Sequence, residues 1–103
     1  MIKIVESKAE IKKYTEALKA LFKLYKFEEN KDPALGKLIK MVENGEMYDR
    51  EPAKKELFLS HFMGGCPVDG IAKKINFSRS YLYTLKQEMQ KELAMIVFEV
   101  IIV

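Results

Sequence analysis

Apolar residues recur along this chain at spacings of three and four, the period of an amphipathic helix. The clearest case is two stripes in the second half of the chain: Ile71, Ala72 and Ile75, then Leu82, Leu85 and Met89. Between the stripes lie Asn76, which tolerates the left-handed backbone of a helix end, and Ser78, a good helix N-cap. Pro67 suits the first turn of the first helix, and Phe77 is expected to fill the turn. The pattern predicts two helices joined by a short turn, with Ala72 small enough for a close crossing.

The opposite face of the second helix is polar and not acidic. Its residues are Arg79, Ser80, Tyr83, Thr84 and Gln87. Side chains of these types reach phosphates and base edges in DNA. The sequence therefore predicts a helix-turn-helix in which one set of residues meets base edges: Arg79, Tyr83, Thr84 and Gln87. A second set is predicted to hold phosphates: Ser80, Lys73, Lys74 and Lys86. The alternative is an ordinary helical hairpin with a solvated outer face.

Three further helices are predicted before this pair. Ser7 and Glu10 have capping-box spacing, which begins a helix that should run to about Phe27. Its apolar stripe consists of Ile11, Tyr14, Leu18, Leu21 and Tyr25. We expect this stripe to pack inside the domain, and the alternative is that it forms the contact surface of a dimer. Asp32 caps a second helix that begins at Pro33 and ends at Asn44 and Gly45. The third helix starts at Pro52 and runs to about Phe62.

The C-terminal segment, AMIVFEVIIV, fits both a helical face and a strand-forming composition. We expect helix to about Phe98, with the apolar tail buried against the N-terminal helix or a second subunit. Residues Met1 to Val5 are either a frayed end or a short strand. The predicted fold is thus all-α, with an N-terminal helical pair at 1–49 and a DNA-binding helix-turn-helix module with an apolar tail at 50–103.

Composition narrows the class of protein. Hydrophobic residues make up 49% of the chain, which is enough for a packed core. The net charge of the chain is only +3. The segment from Lys54 to Lys91 contains seven basic and three acidic residues, so the predicted module is more basic than the chain as a whole. The lone cysteine gives no disulfide framework, which favours a reducing cytoplasm. No apolar run approaches the roughly 20 residues of a membrane span.

Catalysis is not expected. His61 is the one histidine and Cys66 the one cysteine, and a zinc site needs about three or four clustered ligands. Nothing near the two residues marks a positioned base or an oxyanion site. We therefore predict a structural role for both, no enzyme, and no metal or other cofactor.

The region from Pro52 to Leu93 resembles region 4 of bacterial sigma factors and the phage late-gene activators of the ArpU and RinA type. The resemblance is carried by KKELFLSHFMGG as a preceding helix and loop, and by VDGIAKKINFSRSYLYTLKQEMQKEL as the helix-turn-helix. This chain departs from the usual pattern at Gly70 and Tyr81. The resemblance implies sequence-specific binding to double-stranded DNA and a role in switching on a phage or prophage promoter, with RNA polymerase as a further partner.

A homodimer is expected, because one small module buries little surface on DNA and two half-sites raise affinity and specificity. Two alternatives remain open at this point. One is a phage terminase small subunit, which would form a ring for DNA packaging. The other is a module that docks on RNA polymerase and touches no DNA.

Overall fold

The structure is a computed structural model that describes residues 2–27 and 33–103 of the chain. Within those ranges it holds five α-helices: α1 (Lys8–Phe27), α2 (Pro33–Glu43), α3 (Pro52–Glu56), α4 (Val68–Ile75) and α5 (Arg79–Phe98). A π-helical segment, Leu57–Met63, continues α3, and two short strands complete the order: β1 (Lys3–Val5) and β2 (Val100–Ile102). Helix accounts for 73% of the structure, which confirms the prediction of a small all-α domain. Among the described residues no helix is long and apolar enough to cross a membrane.

Helix α1 begins and ends where the sequence predicts. The Ser7 hydroxyl oxygen accepts a hydrogen bond from the Glu10 backbone N–H at 3.1 Å, so Ser7 caps the helix. A capping box would also place the Glu10 carboxylate on the Ser7 backbone N–H, and this part of the prediction is wrong. The Glu10 carboxylate instead lies 2.9 Å from Nζ of Lys3, because β1 brings that lysine beside the first turn. The predicted cap of α2, Asp32, lies outside the described residues.

The third predicted helix begins at Pro52 as expected, but only its first five residues are α-helical. From Leu57 to Met63 the backbone widens into a π-helical segment, which the sequence did not predict. Gly64 ends it where the chain passes close to itself: a Cβ at this position would lie 2.7 Å from the Ser60 carbonyl oxygen. A residue with a side chain would therefore push the backbone apart at this turn.

Both halves of the chain contribute to one hydrophobic core. Its buried members come from all five α-helices and from the π-helical segment, and include Leu18, Phe22, Leu38, Val42, Phe58, Ile71, Leu82, Met89 and Leu93. The rings of Phe22 and Phe58 meet edge to face, with centroids 5.6 Å apart. The apolar stripe of α1 packs inside the chain: Leu18 is buried in this core, and Leu21 and Tyr25 are partly buried against it. Tyr48, in the connection after α2, is also buried, and its φ of 63° is left-handed.

The C-terminal segment combines the two readings that the sequence allowed. Helix α5 continues to Phe98, Glu99 turns the chain with a left-handed φ of 57°, and β2 follows. β2 pairs in parallel with β1, with Lys3 opposite Val100 and Val5 opposite Ile102. Because successive side chains of a strand point to opposite faces, Val100 and Ile102 point inward, next to Val5. The cluster that these residues form also packs against Ile11 and Tyr14 of α1, so the predicted contact with the N-terminal helix is confirmed for Val100 and Ile102, while Ile101 and Val103 stay exposed.

Candidate nucleic-acid interface

The predicted turn joins α4 and α5 over three residues. Asn76 takes the left-handed conformation, with φ 58° and ψ 38°, and ends α4. Ser78 then caps α5, because its hydroxyl accepts from the Tyr81 backbone N–H at 3.1 Å. Pro67 was predicted inside the first turn of α4. It is the N-cap instead, since helical backbone starts one residue later.

The inner face of the helix pair is the predicted one. Ile71, Leu82 and Met89 are almost wholly buried, and Leu85 is nearly so. Ala72 and Ile75 pack at the margin of the same cluster. Phe77 does not fill the turn as expected. It is exposed, and its ring lies 5.5 Å from that of Tyr81.

The outer face of α5 is open. The structure leaves all five predicted residues there exposed: Arg79, Ser80, Tyr83, Thr84 and Gln87. The Arg79 side chain is 69% exposed, and its Nε lies 2.7 Å from the Asp69 carboxylate at the start of α4. Its guanidinium carbon lies 5.5 Å from the centre of the Tyr83 ring, within cation–π range. The Thr84 hydroxyl donates to the Ser80 carbonyl one turn earlier, at 3.1 Å.

The three lysines predicted to hold phosphates differ in their surroundings. Lys73 and Lys74 are exposed on α4. Nζ of Lys74 lies 2.8 Å from the Glu56 carboxylate. This hydrogen bond raises the pKa of Lys74 and, together with a bond from Ser60, lowers the pKa of Glu56. Lys86 is half-buried, and its Nζ lies 6.0 Å from the Tyr83 ring centre.

Helix α5 is held to the rest of the protein by a polar contact that sequence reasoning missed. The Tyr48 hydroxyl donates to one oxygen of the Glu92 carboxylate at 3.0 Å, and Nζ of Lys54 donates to the other at 2.8 Å. The Lys54 side chain is only 12% exposed. Three separate elements therefore meet at Glu92, and this contact helps to fix the rotation of α5 and hence the direction of its outer face.

His61 and Cys66 contact each other, but through the backbone. Nδ1 of His61 lies 2.8 Å from the Cys66 carbonyl oxygen, which can only accept, so Nδ1 carries the proton. Burial lowers the pKa of His61. Within the described part of the chain, no group of three or more His, Cys, Asp or Glu residues is placed to hold a metal ion.

Comparison with protein-family models, with curated proteins and with solved structures found no match to this chain. The resemblance to sigma-factor region 4 therefore stays a prediction that depends on the residues quoted for it.

Proposed function

We propose that this protein is a sequence-specific regulator of transcription that binds double-stranded DNA through α4 and α5. The observation that carries the proposal is the two-sided character of α5. One side packs into the core through Leu82, Leu85 and Met89. The other side is exposed to solvent and carries arginine, serine, tyrosine, threonine and glutamine side chains. A helix held in this way can lie in the major groove of B-DNA and read base edges from its exposed side.

Arg79 is the residue with the largest role in this proposal. It stands at the first position of α5, and the N-terminal residues of a recognition helix are those that reach deepest into the groove. Its ion pair with Asp69 is exposed, and exposed pairs are weak, so a guanine edge or a phosphate can replace the carboxylate. Stacking over Tyr83 limits the conformations of the guanidinium before DNA arrives.

The remaining contacts follow from position. Tyr83, Thr84 and Gln87 extend the reading surface along α5 by about two helical turns beyond Arg79. Lys73 and Lys74 on α4, with Ser80 and Lys86 on α5, supply contacts to the sugar-phosphate backbone. The proposal includes a homodimer on two half-sites and, from the sigma-factor-like residues, activation of a phage-type promoter in the cytoplasm in contact with RNA polymerase.

The test begins with duplex DNA of mixed sequence and fluorescence anisotropy across about 50 to 200 mM salt. The logarithm of the binding constant should fall linearly with the logarithm of salt, by about 0.9 for each phosphate neutralised. Selection from random duplexes then supplies a preferred site. Absence of duplex binding at the lowest salt would contradict the proposal and favour a docking module.

Arg79→Ala and the control Lys40→Ala each remove one exposed positive charge, the control on α2. On the selected site we expect Arg79→Ala to cost about 1–3 kcal/mol of binding free energy and to relax the preference at one base pair. Lys40→Ala should leave affinity and preference unchanged. Equal losses in both variants would mean that only overall charge matters. Light scattering decides the assembly: a dimer fits the proposal, and a ring of many subunits would replace it with a packaging role.

A further inference from the structure

A cavity of about 450 Å³ lies between α1, the π-helical segment and α5. Its size falls in the range of about 300–1,000 Å³ that is usual for small-molecule sites. The apolar part of its wall includes Leu18 of α1 with Phe62 and Met63 of the π-helical segment. Segments of π-helix occur often at functional sites, and the last three residues of this one line the cavity: His61, Phe62 and Met63.

The polar part of the wall is positively charged. Lys19 and Lys23 come from α1 and Lys86 from α5, and none of the described residues that line the cavity is acidic. Burial lowers the pKa of Lys86, and the charge of Lys19 lowers it further. The pKa of His61, on the same wall, is lowered by burial and by both of those lysines. Lys19 and Lys86 therefore lie close enough to repel each other, and a bound anion would offset that repulsion.

We propose that this cavity binds a small organic anion with an apolar body, of the aryl or acyl carboxylate class. The carboxylate would pair with Lys19, Lys23 and Lys86, while the hydrocarbon part would cover Leu18, Phe62 and Met63. An ammonium–carboxylate contact is strongest where the pair is partly removed from water, which the half-buried Lys86 provides. This site is separate from the proposed DNA contact surface except for Lys86, and the ligand test requires no DNA.

Three probes of matched size or charge test the chemistry: octanoate, octanol and acetate. Titration is followed by calorimetry and by backbone amide shifts of the uniformly labelled protein. Octanoate should bind and shift the amides of Met63, Gly64 and Gly65. Octanol lacks the charge and acetate lacks the apolar body, so each should bind at least about tenfold more weakly, the equivalent of about 1.4 kcal/mol. Octanol or acetate binding as tightly as octanoate would overturn the proposal, as would amide shifts confined to another part of the protein.

Variants locate the charge. Lys19→Gln and Lys23→Gln each remove one ammonium group from the wall, and neither residue belongs to the proposed DNA surface. Lys13→Gln is the matched control, an exposed lysine on another face of α1. Combining the two wall substitutions should weaken octanoate binding by about tenfold, because together they remove two of the three ammonium partners of the carboxylate. Octanol binding should not change. A loss of octanoate affinity in Lys13→Gln as large as in the wall variants would overturn the proposal.

Discussion

The hydroxyl of Tyr48 offers a quantitative test of how α5 is held in place. Tyr48→Phe removes one oxygen atom and with it the donor that reaches the Glu92 carboxylate at 3.0 Å. Hydrogen bonds to charged groups contribute about 1.5–3 kcal/mol, and the lower end applies because the Glu92 side chain is 39% exposed. At neutral pH we expect the variant to lose about 1.5 kcal/mol of unfolding free energy. For a domain of this size, each kcal/mol lowers Tm by about 4–8 °C.

The same contact predicts how this difference changes with pH. Burial raises the pKa of Tyr48 well above its ordinary value, and the negative charge of Glu92 raises it further. Above about pH 10 the unfolded chain therefore releases the Tyr48 proton while the folded protein keeps it, so the wild type loses stability as pH rises. By pH 11 the loss attributable to this tyrosine is about 1.4 kcal/mol, the linkage value for one pH unit. Phenylalanine has no proton to lose.

The assay is urea unfolding of wild type and Tyr48→Phe at neutral pH and at about pH 11. At the higher pH, the stability that the wild type loses through the Tyr48 proton should nearly equal the stability that the hydrogen bond to Glu92 contributes. The stability difference should shrink from about 1.5 kcal/mol to near zero. Tyr81→Phe is the control: its ring is exposed beside Phe77, and its stability should stay within about 0.5 kcal/mol of wild type at both pH values. A difference for Tyr48→Phe that stays constant with pH would refute the reasoning.

Two further predictions concern the backbone and the tail. Gly64→Ala should cost about 1–3 kcal/mol of unfolding free energy, because the new methyl group would lie 2.7 Å from the Ser60 carbonyl oxygen. Unchanged stability in urea would show that position 64 and the Ser60 carbonyl lie farther apart than this distance. Ile102→Ala should cost about 2 kcal/mol or more of unfolding free energy, because the Ile102 side chain is buried. Ile101→Ala, on the exposed side of the same strand, should cost clearly less. The reverse order in thermal unfolding would mean that the strand register is shifted by one residue.

Local sequence signals determined most of the helices and the form of the turn. Ser7 and Ser78 cap α1 and α5 because a short hydroxyl side chain satisfies a free N–H at a helix start, which needs no tertiary partner. Asn76 ends α4 because asparagine accepts left-handed backbone. The periodic leucines of α5 gave the buried face, and the exposed face with Arg79 followed from it. These features depend on residues within four positions of one another, so a single sequence is sufficient to predict them.

Other features were decided by contacts between distant parts of the chain. The pairing of β1 with β2, the burial of Tyr48 against Glu92 and Lys54, and the grouping of Lys19 and Lys23 with Lys86 all join residues far apart in sequence. The π-helical segment is a local conformation, yet its sequence carries the ordinary helical period, so periodicity could not distinguish it from the end of α3. Periodicity reports which face of an element is apolar. Which partner covers that face, and which polar groups meet there, is fixed only when the whole core packs.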